Sequence, residues 1–155
     1  MPPLALPPLY HIGIVVRDMD AASADFEARW GAATERIIEL DCASVFRGAK
    51  THLRARYGFI ATGASEIELI QPVDDEPNPY NEFLADNGEG VHHLAYIVDS
   101  IGAYLDHVPD HEELAVVSDA ALPMGGRFVY VEGAAHGPLI ELIEMPWQTG
   151  AVPSG

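Results

Sequence analysis

Residues 11–16 read HIGIVV, a short β-branched run that ends at the charged Arg17 and Asp18, so the pattern predicts a buried strand. The period then changes. Residues 21–30 mix Ala, Glu and Arg with Phe26 and Trp30 four apart, the spacing that places both rings on one helical face; Asp18 or Asp20 can cap the start and Gly31 stops it. Three strand candidates follow at 36–40, 53–60 and 66–71, separated by turn-forming residues around Gly48 and Gly63. Residues 72–90 form a polar connector containing Pro and Gly, with room for one short helix over about 80–86. After the connector the order recurs. HLAYIV at 93–98 reads as a strand, 101–108 as a short helix, and 114–118, 127–132 and 139–144 as three more strands.

Two of these runs begin with His, at 11 and 93, and IELI occurs twice, at 67–70 and 140–143. A duplicated βαβββ module explains both: module one over about 9–72, a connector over 73–90, and module two over about 91–146, within a single domain of 155 residues. Each module then offers one His at the start of its first strand and one Glu in its last. Strand alternation puts His11, Gly13 and Val15 on one face and Ile12, Ile14 and Val16 on the other, where a helix would pack. By the same rule Glu68 and Glu141 point away from the faces that carry Ile67 with Leu69 and Ile140 with Leu142. A single His at a strand start is more often a hydrogen-bonded core residue, and a single Glu in a strand usually faces water. Recurrence at matching places in two modules favours a shared site instead. Two imidazoles and two carboxylates suit one divalent ion of Co, Ni, Zn, Mn or Fe. Aligning the modules pairs His93 with His11 and turns His92 to the opposite face, in a structural role.

Composition narrows the partners. With 48% hydrophobic and 21% charged residues the chain is globular, and no apolar run approaches the ~20 residues of a membrane span. The opening MPPLALPPLY lacks a basic flank, so it does not read as a signal peptide and a cytoplasmic address is expected. Cys42 is the only cysteine, which excludes a disulfide framework and a thiolate cluster. A net charge of −16 opposes nucleic acid. Six of the eight basic residues nevertheless lie between Arg29 and Arg56, where they either meet a small anionic ligand or solvate a hairpin. Arg54, Arg56, Tyr57 and Arg127 are the candidate substrate contacts, a small molecule is the expected partner, and a homodimer the expected assembly.

The segments HIGIVVRDMDAA, GVHHLAYIVDSI, GGRFVYVEG and LIELIE have close counterparts in the vicinal oxygen chelate superfamily, the glyoxalase and bleomycin-resistance proteins. Over nearly its whole length the chain resembles them, and most of all the methylmalonyl-CoA epimerase branch. The resemblance implies an α+β fold, with paired βαβββ modules in an open, cup-shaped mixed sheet, and it implies that His11, Glu68, His93 and Glu141 occupy the four metal-ligand positions. Two departures follow from the same comparison. The epimerases commonly carry Gln where this chain has Glu68, so its ligand set is closer to that of bacterial glyoxalase I. They also place an extra acid on the third strand of the first module, whereas here that strand reads LRARYGFI, with Ala55 about where the acid belongs.

The implied chemistry is Lewis-acid polarisation of a carbonyl and stabilisation of the enolate left by loss of a neighbouring proton. Glu141 is the expected base and Glu68 its counterpart on the opposite face. An isomerase, epimerase or lyase acting on a compact oxo compound or acyl thioester is the leading expectation. The rivals are an extradiol-type dioxygenase, against which a fourth protein ligand argues, and a metal-free drug- or metabolite-binding protein, which would not need the full ligand set.

Overall fold

The computed structural model describes residues 2–133 and 137–147. The β-branched and alternating runs form strands, and the first half runs β1 (His11–Val15), α1 (Met19–Trp30), β2 (Arg36–Phe46), β3 (Ala49–Thr62) and β4 (Ser65–Pro72). α2 (Pro79–Asn87) occupies the connector. The second half runs β5 (Gly90–Ile97), α3 (Ile101–Asp106), a 3-10 turn at His111–Glu113, then β6 (Val116–Ala121), β7 (Arg127–Val131) and β8 (Leu139–Glu144). Strand, helix and three strands thus occur twice, as the repeat predicts.

Local chemistry accounts for the element ends. The Asp18 carboxylate accepts from the Ala21 N–H at 3.0 Å and caps α1, and Gly31 ends it in the left-handed region at φ 64°. Phe26 packs against the core beneath α1, while Trp30, at the last helical position, stands 76% exposed, so only one of the two rings expected on a common face is used for packing. β2 and β3 run further than the sequence pattern suggests. Arg47 and Gly48 both take positive φ, 47° and 82°, in a two-residue hairpin turn whose twist lets pairing continue to Phe46 and Ala49.

The eight strands form one mixed sheet in the order β1-β4-β3-β2-β6-β7-β8-β5, which closes round an axis. β1 runs parallel to β4 and β5 parallel to β8, while β1 and β5 pair antiparallel. The seam between halves on the far side is short: Ser44–Phe46 of β2 pairs with Ser118–Ala120 of β6. Residues 36–43 of β2 therefore pair with β3 alone, and the cup opens at that end. α1 covers the outer face over Val16, Ile60 and Leu69, and α3 covers the equivalent face over Val129 and Leu142. α2 instead sends Tyr80, fully buried, into the sheet's interior beside Tyr57 and Tyr130. Among the described residues no helix is long and apolar enough to cross a membrane.

Leu53 is fully buried in this interior core. Leu53→Ala should lower the unfolding free energy by about 2–5 kcal/mol, as truncation leaves a cavity in a packed site. Denaturant titration measures it.

Candidate metal centre

The site is built on the β1–β5 pair. In the antiparallel register His11 stands opposite Ala95 and Gly13 opposite His93, so each imidazole faces a residue with little or no side chain. The parallel neighbours add the acids on the same plan, with Glu68 of β4 beside Gly13 and Glu141 of β8 beside Ala95. All four side chains are buried, and one donor atom of each lies within 4.8 Å of the others. His11 Nε2 is 3.0 Å from His93 Nε2, 3.0 Å from Glu141 Oε2 and 3.4 Å from Glu68 Oε1. His93 Nε2 is 2.8 Å from Glu141 Oε2 and 3.7 Å from Glu68 Oε1. Atoms bound to one ion at about 2.0–2.2 Å stand roughly 3 Å apart, so the residues fit a single divalent metal.

Gly13 is required by this packing. A Cβ at residue 13 would overlap the His93 ring, which lies directly over the glycine. The sequence places Gly13 on the His11 face; the contact explains why no side chain can stand there.

The electrostatics also call for a cation. Burial disfavours the His11 imidazolium, yet Glu68 and Glu141 outweigh it and hold its pKa at about 9. Burial pushes the Glu68 carboxyl up to about 7, with His11 opposing and Glu141 reinforcing the shift. Burial also works against Glu141, but the imidazoles of His93 and His11 hold that carboxyl below the ordinary range. His93 is kept neutral, first by its burial. A proton on His11 thus supplies the positive charge that a divalent ion would supply to the same acceptors.

Above the cluster lies a cavity of 330 Å³ whose floor includes His11, Glu68 and Glu141. Its walls are mostly apolar, among them Leu40, Phe59, Phe128 and Trp147. Of the expected substrate contacts Tyr57 lines it, whereas Arg54, Arg56 and Arg127 do not. Alternation explains the difference. Leu53, Ala55 and Tyr57 point inward along β3, so Arg54 and Arg56 point outward, where they pair with Asp41 and Asp20. Arg127 pairs with Asp119 on the neighbouring strand. The basic side chain that does line the cavity is Arg36, stacked 4.0 Å from the Phe59 ring centre, and its place on the face shared with Ile38 and Leu40 is readable from the same alternation.

The Tyr57, Tyr80 and Tyr130 hydroxyls form a buried chain, 3.1 and 2.6 Å apart, and burial pushes all three phenols well above their usual pKa, so they remain protonated. His52 bonds Asp41 on the exposed outer face, and His136 lies outside the described residues.

His92 departs from expectation. The β1–β5 register shifts after Gly13, and this bulge carries His92 inward beside His93 rather than to the opposite face; it is 2% exposed, with its Nδ1 2.8 Å from His93 Nδ1. Burial drops its pKa to about 3.

A family model described as the glyoxalase/bleomycin resistance protein/dioxygenase superfamily matches residues 10–130. The chain belongs to that superfamily. The uncharacterized protein YqjC of Bacillus subtilis strain 168 is 26% identical over 140 residues, which span 88% of this chain and 91% of that one. Among solved structures, methylmalonyl-CoA epimerase from Mycobacterium tuberculosis is similar, with TM-score 0.67 at 24% identity over 96% of this chain and 97% of that one. A Streptomyces coelicolor methylmalonyl-CoA epimerase variant in complex with 2-nitronate-propionyl-CoA has TM-score 0.65 at 25% identity over 97% and 100%. As a superfamily member the chain shares its paired-module architecture with epimerases and related enzymes, and it keeps a buried His-Glu-His-Glu group able to bind a metal.

Two outcomes are expected. Gly13→Ala should abolish stoichiometric metal uptake with the sheet still formed, measured by metal analysis and far-ultraviolet circular dichroism. In chelator-treated protein the melting temperature should fall as pH rises from 6.5 through about 9. His11 titrates at about 9 when folded against an ordinary 6.5, so its contribution is complete below 6.5 and lost above 9. Glu68, at about 7 against 4.5, loses its contribution in the same direction. A melting temperature that does not fall over this range would mean that the cluster holds no such proton.

Proposed function

We propose that this protein is a metal-dependent enzyme that removes a proton from the carbon beside a carbonyl, acting as an isomerase, epimerase or lyase. The observation that carries this reading is the buried two-His, two-Glu cluster at the floor of a mostly apolar cavity. His11, Glu68, His93 and Glu141 would hold one divalent ion of Co, Ni, Zn, Mn or Fe. Such an ion supplies Lewis-acid polarisation of a carbonyl oxygen and offsets enolate charge.

The proton traffic falls to the chain's own carboxylates. Glu68 and Glu141 are the carboxylates among the described cavity-lining residues, and they come from β4 and β8 on either side of the central β1–β5 pair. They therefore approach a molecule seated on the cluster from two sides. Glu141 is the preferred base and Glu68 its counterpart on the other face. Ala55 is fully buried on the inward face of β3, so that strand adds no acid from the position where the resembled epimerases carry one. The apolar walls enclose the body of the substrate and exclude water from the enolate, and Arg36 meets an anionic end. Acyl-CoA thioesters are the first substrate class to test, since the similar epimerase from Streptomyces coelicolor binds 2-nitronate-propionyl-CoA.

Exchange of the carbonyl-adjacent proton with deuterated solvent, followed from each pure epimer of an acyl-CoA thioester, tests the reading. Wild-type protein should exchange it only when metal-loaded, and Glu141→Gln should slow exchange by about 10²–10⁴-fold while still binding metal. Metal-loaded Glu141→Gln protein that exchanges at the wild-type rate would remove Glu141 from the role of base. Exchange from both epimers identifies an epimerase; exchange from one identifies a single-face isomerase or lyase. Protein that takes up none of the five ions would be a metabolite-binding protein instead.

A further inference from the structure

His92 has no part in the chemistry above, yet it is buried in contact with a residue of the cluster. Its ring stands edge-on to Tyr80, Phe83 and Tyr130, with centroids 5.0–5.4 Å away, so its surroundings are aromatic. Its Nδ1 is 2.8 Å from the Nδ1 of His93. The ring also has a hydrogen-bonding partner in the backbone of Pro79, the first residue of α2.

Proline has no N–H, so the Pro79 group in that bond is the carbonyl, and a carbonyl only accepts. The remaining nitrogen of His92, Nε2, is therefore the donor. A neutral imidazole carries one proton, which leaves Nδ1 of His92 as a lone-pair acceptor. Across the 2.8 Å contact that acceptor faces Nδ1 of His93. Nε2 of His93 is the atom directed at His11, Glu68 and Glu141, and to ligate an ion it must offer a lone pair, which puts the proton of that ring on Nδ1, facing the acceptor of His92. A chain of two hydrogen bonds that begins at the helix start would thus favour the His93 tautomer whose Nε2 can ligate.

We propose that His92 is a positioning residue that holds His93 in the metal-ligating tautomer and orientation by accepting its Nδ1 proton, with the Pro79 carbonyl fixing His92 in turn. The proposal rests on the metal reading above. Such outer partners of metal-bound imidazoles change metal affinity by roughly 10–100-fold. The connector has a corresponding role. Asn78, fully buried, caps α2 by accepting from the Tyr80 and Asn81 N–H groups at 3.0 and 2.8 Å, and so holds Pro79 in place beside His92.

The test compares zinc affinity, by competition with a chelating dye, in wild type, His92→Leu and His92→Asn. Leu fills the space without an acceptor, whereas Asn can present its amide oxygen near the position of Nδ1. His92→Leu should bind zinc about 10–100-fold more weakly and His92→Asn should recover most of the loss. Equal affinity in wild type and His92→Leu overturns the proposal, as does equal loss in both variants. Nitrogen-15 imidazole spectra of zinc-loaded wild type give an answer independent of any variant's folding: the proton of His92 should be on Nε2 and that of His93 on Nδ1. A proton on Nδ1 of His92 overturns it. Wild-type protein that binds no zinc, cobalt, nickel, manganese or iron rejects the metal reading, and this inference with it; wild type that binds metal with unaffected His92→Leu rejects this inference alone.

Discussion

Antiparallel pairing of β1 with β5 sets His11 against Ala95 and Gly13 against His93, and the rest of the site depends on that reciprocal register. An imidazole can lie across the pair only where the opposite residue leaves room, and each histidine has a small residue two positions further on to accommodate its partner. The parallel strands β4 and β8 then bring in the acids, because Glu68 aligns with Gly13 and Glu141 with Ala95. A one-residue slip in this pair would turn the two imidazoles to opposite faces. With the inner face committed to the cluster, the outer faces of β1 and β5 are left apolar, and α1 and α3 cover them in matching positions.

Such a cluster opposes folding unless a cation compensates it. The four polar groups occupy an interior made mostly of aliphatic and aromatic side chains, and a buried carboxylate without a partner costs several kcal/mol. Glu141 Oε2 lies 3.0 Å from Nε2 of His11 and 2.8 Å from Nε2 of His93, and Glu68 Oε1 lies 3.4 Å from Nε2 of His11, so a proton on His11 is shared among acids that a single cation would neutralise. Shared protonation satisfies the cluster only in part, since Nδ1 of His11 is itself buried without a hydrogen-bond partner. Three tyrosine hydroxyls bond one another beneath the site, and α2 anchors the central one of them.

The fold and the four cluster residues were legible in the sequence because each rests on period and repetition. HIGIVV and HLAYIV mark equivalent strands, the two IELI runs mark their parallel partners, and alternation along them assigns the inward faces of His11, Glu68 and Glu141 correctly. Legibility failed where a local event breaks the period. The bulge after Gly13 has no signature in GVHHLAYIV, and it brings His92 to the side that strict alternation denies it. Arg54 and Arg56 were singled out for their charge, but charge says nothing about face; the β3 pattern already places them outward beside the inward Leu53, Ala55 and Tyr57. Arg36 could have been found by applying that rule to β2. Tyr80 could not, because its position depends on how the connector folds back into the sheet.

The second carboxylate in the cluster also bears on the proposed chemistry. Where the resembled epimerases commonly carry Gln, a divalent ion with two imidazoles and one carboxylate keeps a net positive charge. With Glu68 in that place a site holding such an ion would be neutral, which would cost less to bury beneath apolar walls and would attract an anion less strongly. The whole molecule reinforces this, since a net charge of −16 repels anionic ligands at long range and Arg36 is the single basic side chain among the described cavity-lining residues. Under the proposed reading, binding would draw mainly on apolar contact with the body of the ligand and on coordination of its oxygen. On the same reading, proton removal would change little in overall charge, since Glu141 or Glu68 would keep the proton within the same buried group and a bound ion would supply the compensation for enolate charge. A neutral cluster is in that sense matched to moving a proton within a dry cavity, where separating charge would be most expensive.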